Sequence, residues 1–131
     1  MSMHTTPVDA VHAWIEAVND ADADRLVALS DARVEIIGPR GSVRGAEVLR
    51  DWLTRAGLTM QASRTFARGT AVVVHGRGVW RAPDGAVLGE QDVASRFVVE
   101  EGKIAAYERF DDLAAALARA GLAEEDEVSA G

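Results

Sequence analysis

The sequence predicts an α+β domain, with helices first and an antiparallel sheet after them. Three observations carry that prediction. In the first half, apolar residues recur at helical spacing; from Thr59 to Phe110 the period changes to two. The second half is divided by three joints, Arg68-Gly69, Asp84-Gly85 and Glu101-Gly102, each supplying the glycine that tight hairpin turns require. The chain has 131 residues and no cysteine, enough for one domain that folds without a disulfide or a thiolate-held metal.

Pro7 to Asn19 reads as a helix, with Val8, Val11, Ile15 and Val18 on one stripe, Trp14 beside them, Thr6 as N-cap and Pro7 at the first position. A shorter helix runs from Ala23 to Ser30, capped by Asp20 or Asp22 and apolar at Leu26, Val27 and Leu29. Arg33 to Ile37 reads as a strand that Gly38-Pro39-Arg40-Gly41 breaks. A third helix spans Ala46 to Ala56, with the stripe Val48, Leu49, Trp52, Leu53 and Ala56, and Gly57 follows it as the C′ residue. Thr59–Ala67, Thr70–Arg81, Ala86–Glu100 and Lys103–Phe110 then form an antiparallel meander. Asp112 caps a last helix, Leu113 to Ala120, which Gly121 ends with Leu122 set against Leu117 in a Schellman motif. The organisation is a flexible N-terminus (1–6), one domain (7–122) and an acidic, disordered tail (123–131).

Net charge is −7, and Glu124-Glu125-Asp126-Glu127 carry four of those charges. The mildly acidic remainder lacks the basic stripe that nucleic acid or an anionic membrane needs, so neither is an expected partner. Lys103 is the single lysine, which suits a GC-rich bacterial source. Met1 to Pro7 shows no charged or apolar leader region, and no apolar run approaches a membrane span, so the expected location is cytoplasmic. His4, His12 and His75 are not at metal-ligand spacing, so neither metal nor cofactor is expected.

Three segments carry a family resemblance: Trp14-Ile15-Glu16-Ala17-Val18-Asn19-Asp20-Ala21-Asp22; Val34-Glu35-Ile36-Ile37-Gly38-Pro39 followed by Gly45; and Glu101-Gly102-Lys103-Ile104 with Arg109-Phe110-Asp111. In this order and spacing the chain resembles the nuclear transport factor 2-like superfamily, including its SnoaL-like and ketosteroid-isomerase-like members, over residues 7 to 112. The resemblance implies a cone: a strongly bent antiparallel sheet wrapped around the N-terminal helices, with a short C-terminal helix. The superfamily holds isomerases, polyketide cyclases, scytalone dehydratase, limonene epoxide hydrolase and non-catalytic modules, so the fold does not fix the function.

Laid on the ketosteroid isomerase pattern, the base position falls on Ile36, the tyrosine position on Trp14 and the second acid on Ser95. Isoleucine moves no proton, and an indole N–H is far less acidic than a phenol. Limonene epoxide hydrolase uses an Asp–Arg–Asp group, of which Arg109 and Asp111 resemble a fragment; Asp92, the nearest further carboxylate, is out of phase with Ser95. A cyclase needs an aspartate or histidine in the pocket. His12 lies at the edge of its stripe, and His75 is out of phase with Val72, Val74 and Trp80. The catalytic candidates are therefore Arg109, Asp111 and Tyr107.

The family phase points Trp14, Val34, Ile36, Trp52, Met60, Phe66, Val72, Val74, Gly76, Gly78, Trp80, Ser95, Phe97, Val99, Tyr107, Arg109 and Asp111 inward. The ligand contacts implied are Trp14, Ile36, Trp52, Met60, Val74, Gly78, Trp80, Ser95, Phe97, Tyr107, Arg109 and Asp111. Alternation alone leaves the last strand open, since Ile104, Ala106, Glu108 and Phe110 form the other face. If they face inward, Arg109 and Asp111 are expected to pair with each other near the pocket mouth. Gly76 and Gly78 either bend the sheet or leave room beside Trp80. The outer face, Val73, His75, Arg77, Val79, Arg81, Ala94, Arg96 and Val98, suits a homodimer contact. The expected function is binding of an apolar small molecule. The alternatives are an isomerase, cyclase or epoxide-hydrolase-like enzyme acting on an apolar or polyketide-like molecule, and a non-catalytic dimeric association module.

Overall fold

The computed structural model describes residues 6–38 and 41–128. Helices α1 (Pro7–Asn19) and α2 (Ala23–Ala28) lead into strand β1 (Ser30–Gly38), followed by β2 (Gly41–Arg44) and helix α3 (Ala46–Ala56). Strands β3 (Leu58–Arg68), β4 (Ala71–Arg81), β5 (Val87–Glu100) and β6 (Lys103–Phe110) follow, then helix α4 (Leu113–Ala120). The sheet order is β2-β1-β6-β5-β4-β3. The meander from β3 to β6 is antiparallel throughout, while β1 joins it by a parallel pairing with β6. The α+β cone is therefore present, with Gly38–Gly41 joining a β1–β2 hairpin rather than only ending a strand.

Local chemistry sets the joints. Thr6, Asp22 and Asp112 accept backbone N–H groups at the starts of α1, α2 and α4. Glu101 and Gly102 both have positive φ, 52° and 78°, as a tight hairpin of matching twist requires. The Asn19–Asp22 run has a clear task. The Asn19 side chain donates to the Met60 carbonyl at 2.9 Å and accepts from the Met60 N–H at 2.7 Å, imitating a neighbouring strand on the open edge of β3.

Two cores sit on opposite faces of the sheet. The inner one packs α1, α2 and α3 against the concave face through Val11, Trp14, Leu26, Leu49, Phe97 and Ile104. The outer one packs Ala116, Leu117 and Leu122 of the α4 region against Phe66, Val73 and Ala94. The outer face that suits a homodimer contact by sequence is thus partly covered by the chain's own α4. Val73 and Ala94 lie under α4, and Arg96 is buried beside Glu108, which also pairs with Arg119 of α4.

Of the four register shifts among the described residues of the sheet, those on β3 and β6 reset the alternation at the site residues. On β3 the register with β4 slips between Ala62 and Arg64, leaving Ser63 unpaired. Met60 faces inward before the slip and Ala67 after it, so Phe66 points to the outer core. The inward assignment of Phe66 is thereby overturned. On β6 the register with β5 slips at Ala105, and Ile104 and Tyr107 both reach the inner core. Gly76 lies opposite the first bulge, where a Cβ would stand 2.1 Å from the Gln61 carbonyl oxygen; only glycine lets the backbones approach this closely.

The acidic tail is also corrected. Residues 123–128 fold back on β3: Val128 N–H donates to the Thr65 carbonyl, and Glu127 bridges Phe66. Arg64 donates to both carboxylate oxygens of Glu127, at 2.9 and 3.0 Å, and to Glu124 at 2.7 Å. Composition predicted disorder because the basic partners lie some sixty residues earlier in the chain. Residues 1–5 and 129–131, and Pro39 and Arg40 in the hairpin, lie outside the described residues. Among the described residues, no helix is long and apolar enough to cross a membrane.

Candidate functional site

A cavity of about 320 Å³ opens at the mouth of the cone. The β1–β2 hairpin supplies Ile36, Ile37 and Val43; α3 supplies Trp52, and the sheet supplies Leu58, Trp80, Tyr107 and Arg109. Val43 is half exposed on the rim. The volume lies at the lower end of the range for small-molecule sites, and the lining has the usual character, apolar with few polar groups.

Below the mouth the cone is filled by its own side chains. Trp14 is fully buried and surrounded by Trp52, Phe97 and Tyr107, with ring centroids 5.9, 5.4 and 5.0 Å away. These are favourable stacked and edge-on separations. The Trp14 Nε1–H donates to Ser30 Oγ at 3.0 Å, and Ser30 Oγ donates to the Leu26 carbonyl at 2.8 Å. The indole nitrogen is thus satisfied inside the protein and is not presented to a ligand.

Trp80 and Arg109 form the outer wall. The Arg109 guanidinium carbon lies 5.3 Å from the Trp80 ring centroid, a cation–π contact. Gly78 lies under the same indole: a Cβ there would sit 3.0 Å from Trp80 Cη2. The two strand glycines therefore divide the tasks that sequence left open, Gly76 serving the bend and Gly78 the seat of Trp80.

Tyr107 is the one buried phenol at the site. Burial pushes its pKa above the ordinary value, against the opposing effects of a hydrogen bond with Ser95 and the charge of Arg109. It therefore stays protonated at neutral pH and is not a base there. No carboxylate or imidazole lines the mouth among the described residues. Asp111 is exposed and accepts from Gln91 Nε2 at 2.7 Å, outside the cavity. The expected Arg109–Asp111 pair is not made: each group has a different partner.

Of the predicted ligand contacts, Ile36, Trp52, Trp80, Tyr107 and Arg109 line the mouth together. Trp14, Met60, Val74, Ser95 and Phe97 are buried beneath it, with Ser95 Oγ against Met60 Sδ at 3.9 Å. The sequence reading missed Ile37, Val43 and Leu58. The residues of the four-residue β2 all fall on the exposed side and carry no periodic signal, so the hairpin wall could not be seen from pattern. A wider hollow of about 560 Å³ lies elsewhere, between α1, the β3 bulge and the tail. Its polar groups are already occupied: His12 Nε2 hydrogen-bonds Thr65 Oγ1 at 3.2 Å, and Arg64 holds Glu127. Among the described residues, no group of three or more His, Asp or Glu side chains converges as metal ligands would.

The chain matches the SnoaL-like domain family over residues 11–107. No curated protein matches it significantly. Several solved structures share its fold. A nuclear transport factor 2-like protein of unknown function from Cytophaga hutchinsonii is 18% identical, with a TM-score of 0.72 over 86% of this chain and 95% of that one. TerC, co-crystallised with polyporic acid, is 20% identical, with a TM-score of 0.70 over 84% and 95%. An LEH-like epoxide hydrolase from M. tuberculosis is 21% identical, with a TM-score of 0.67 over 87% and 90%. At these identities the likeness is one of fold. The family match, together with the cone of six strands around three helices, shows that the chain belongs to the SnoaL-like family of nuclear transport factor 2-like domains.

Proposed function

We propose that the mouth of the cone binds an apolar small molecule without proton transfer by the protein. The observation that carries this is the lining itself: two indoles, Trp52 and Trp80, with Ile36, Leu58 and Arg109, around about 320 Å³. Tyr107 is kept protonated by burial, and Asp111 is turned to Gln91, so the three catalytic candidates do not form one constellation. Isomerase, cyclase or epoxide-opening chemistry needs a base, and the described lining offers none. TerC, the neighbour crystallised with polyporic acid, supports a small-molecule role for this fold.

Because Trp52 and Trp80 line the site, tryptophan fluorescence and thermal shift test the proposal together. A ligand at 100 times its Kd stabilises by about 2.7 kcal/mol. For 131 residues this raises Tm by about 10 °C. A panel of apolar carboxylates, lactones and neutral aromatics that moves neither signal rejects the reading. A homodimer through the part of the outer face that α4 leaves free, around His75, Arg77 and Val79, accompanies the proposal. Light scattering that shows a monomer at micromolar concentration removes it.

A further inference from the structure

We propose that the ligand of the cone mouth is an organic anion and that Arg109 selects its charge. This rests on the reading of the mouth as a binding site and narrows its ligand class. Arg109 is the sole charged group among the described lining residues. Its guanidinium is seated on Trp80, and it enters no ion pair among the described residues. Arg33 and Arg81 are likewise without an ion pair among the described residues but do not line the cavity, whereas Arg64 pairs with Glu124 and Glu127, Arg77 with Glu90 and Asp92, and Arg96 with Glu108. The nearest acid along the strand, Asp111, is engaged by Gln91.

An arginine on an aromatic face keeps its planar fork of N–H donors oriented, which suits a carboxylate in two-point contact. The apolar walls lower the local dielectric on the cavity side, so the guanidinium attracts an anion there more strongly than in bulk water, while its exposed side remains open to screening by salt. The buried Tyr107 phenol feels the same charge, so the field of Arg109 reaches inward as well as to solvent. A neutral ligand of equal shape covers the guanidinium without answering its charge. An apolar body with a carboxylate or similarly delocalised anion satisfies both parts of the site.

Matched acids and amides test this with the full chain: 2-naphthoate against 2-naphthamide, and biphenyl-4-carboxylate against its amide. Binding is followed by tryptophan fluorescence and calorimetry at low and high salt. The expected result is that each acid binds about tenfold or more tighter than its amide, the range of a charge-assisted hydrogen bond, with the gap narrowing at 1 M salt. In Arg109→Gln the acid-over-amide ratio falls to within about twofold, whatever the amide's own affinity becomes; Arg109→Lys, which keeps the charge, retains part of the ratio. Arg109 is exposed, so unchanged melting of both variants serves as the folding control. Equal affinities for acid and amide, or a preference that survives Arg109→Gln, overturn charge selection and leave the binding site standing. Failure of all four compounds to bind the folded wild type overturns the binding reading, and this inference with it.

Discussion

Replacing Trp14 by phenylalanine separates the filled cone from its open mouth. The ring is fully buried, and its N–H donates to Ser30 Oγ at 3.0 Å. Phenylalanine keeps an aromatic ring against Phe97 and Tyr107 but removes the indole nitrogen and two buried carbons. The two carbons, with the void they leave, cost about 2 kcal/mol. The lost hydrogen bond costs about 1 kcal/mol more, because Ser30 still donates to the Leu26 carbonyl and no buried donor is orphaned. A chain of 131 residues unfolds with an entropy near 0.28 kcal/mol per degree, so about 3 kcal/mol lowers Tm by about 11 °C. Circular dichroism melts measure the stability, and titration with 2-naphthoate at a temperature where the variant is folded measures binding. Affinity stays within about twofold, since Trp14 does not line the cavity. A melt within about 3 °C of wild type, or loss of binding in the folded variant, refutes the placement of Trp14 as core.

Trp52→Phe should show the reverse balance: a smaller fall in Tm, because the indole is only partly buried, and a clear loss of fluorescence-detected affinity. Gly76→Ala should cost about 3 kcal/mol or more in urea melts, because its Cβ meets the Gln61 carbonyl and neither backbone can yield cheaply. At Gly78 the same change crowds the far end of the Trp80 ring and meets Leu58 Cδ1 at an ordinary 3.5 Å. Its cost should stay below about 1 kcal/mol while ligand affinity falls, because Arg109 rests on the displaced indole. The tail should respond to acid. Hydrogen bonds from Arg64, and then its charge, hold the Glu127 carboxyl below the usual glutamate range. Its contribution is therefore full above the unfolded pKa and is lost as pH falls through the lower folded value. Exchange protection of the Val128 amide should weaken over that window in wild type and be weak already at neutral pH in Arg64→Ala; protection equal in both proteins contradicts the clasp.

Much of this architecture is legible because its determinants are local. Thr6, Asp22 and Asp112 act within three residues of themselves, and Gly69, Gly85 and Gly102 take the positive φ that their turns impose. What escaped the sequence is non-local. The parallel pairing of β1 with β6 joins residues about seventy positions apart. The tail finds Arg64 and Arg68 across a similar span. Tryptophan spacing marks three inward rings but not that Trp14 spends its surface on Trp52, Phe97 and Tyr107. The extra residue on β3 is equally silent: nothing in Ala62-Ser63-Arg64 marks a bulge until Gly76 is known to lie opposite.

The bulge at Ala105 has the largest consequence for the site. Strict alternation from Ile104, which is buried in the inner core, would carry Ala106, Glu108 and Phe110 inward and leave Arg109 outside. One unpaired residue reverses this: Tyr107 and Arg109 face the mouth, and Phe110 packs with the outer core. The same reversal sends Glu108 to the convex face, where it accepts from the buried Arg96 at 3.1 Å and lies 3.5 Å from Arg119 of α4. A single backbone irregularity thus gives the mouth a positive charge in place of a negative one. It also supplies the carboxylate that an otherwise unpaired buried arginine requires. The two effects cannot be separated by register, so the charge of the mouth and the docking of α4 are linked through one strand.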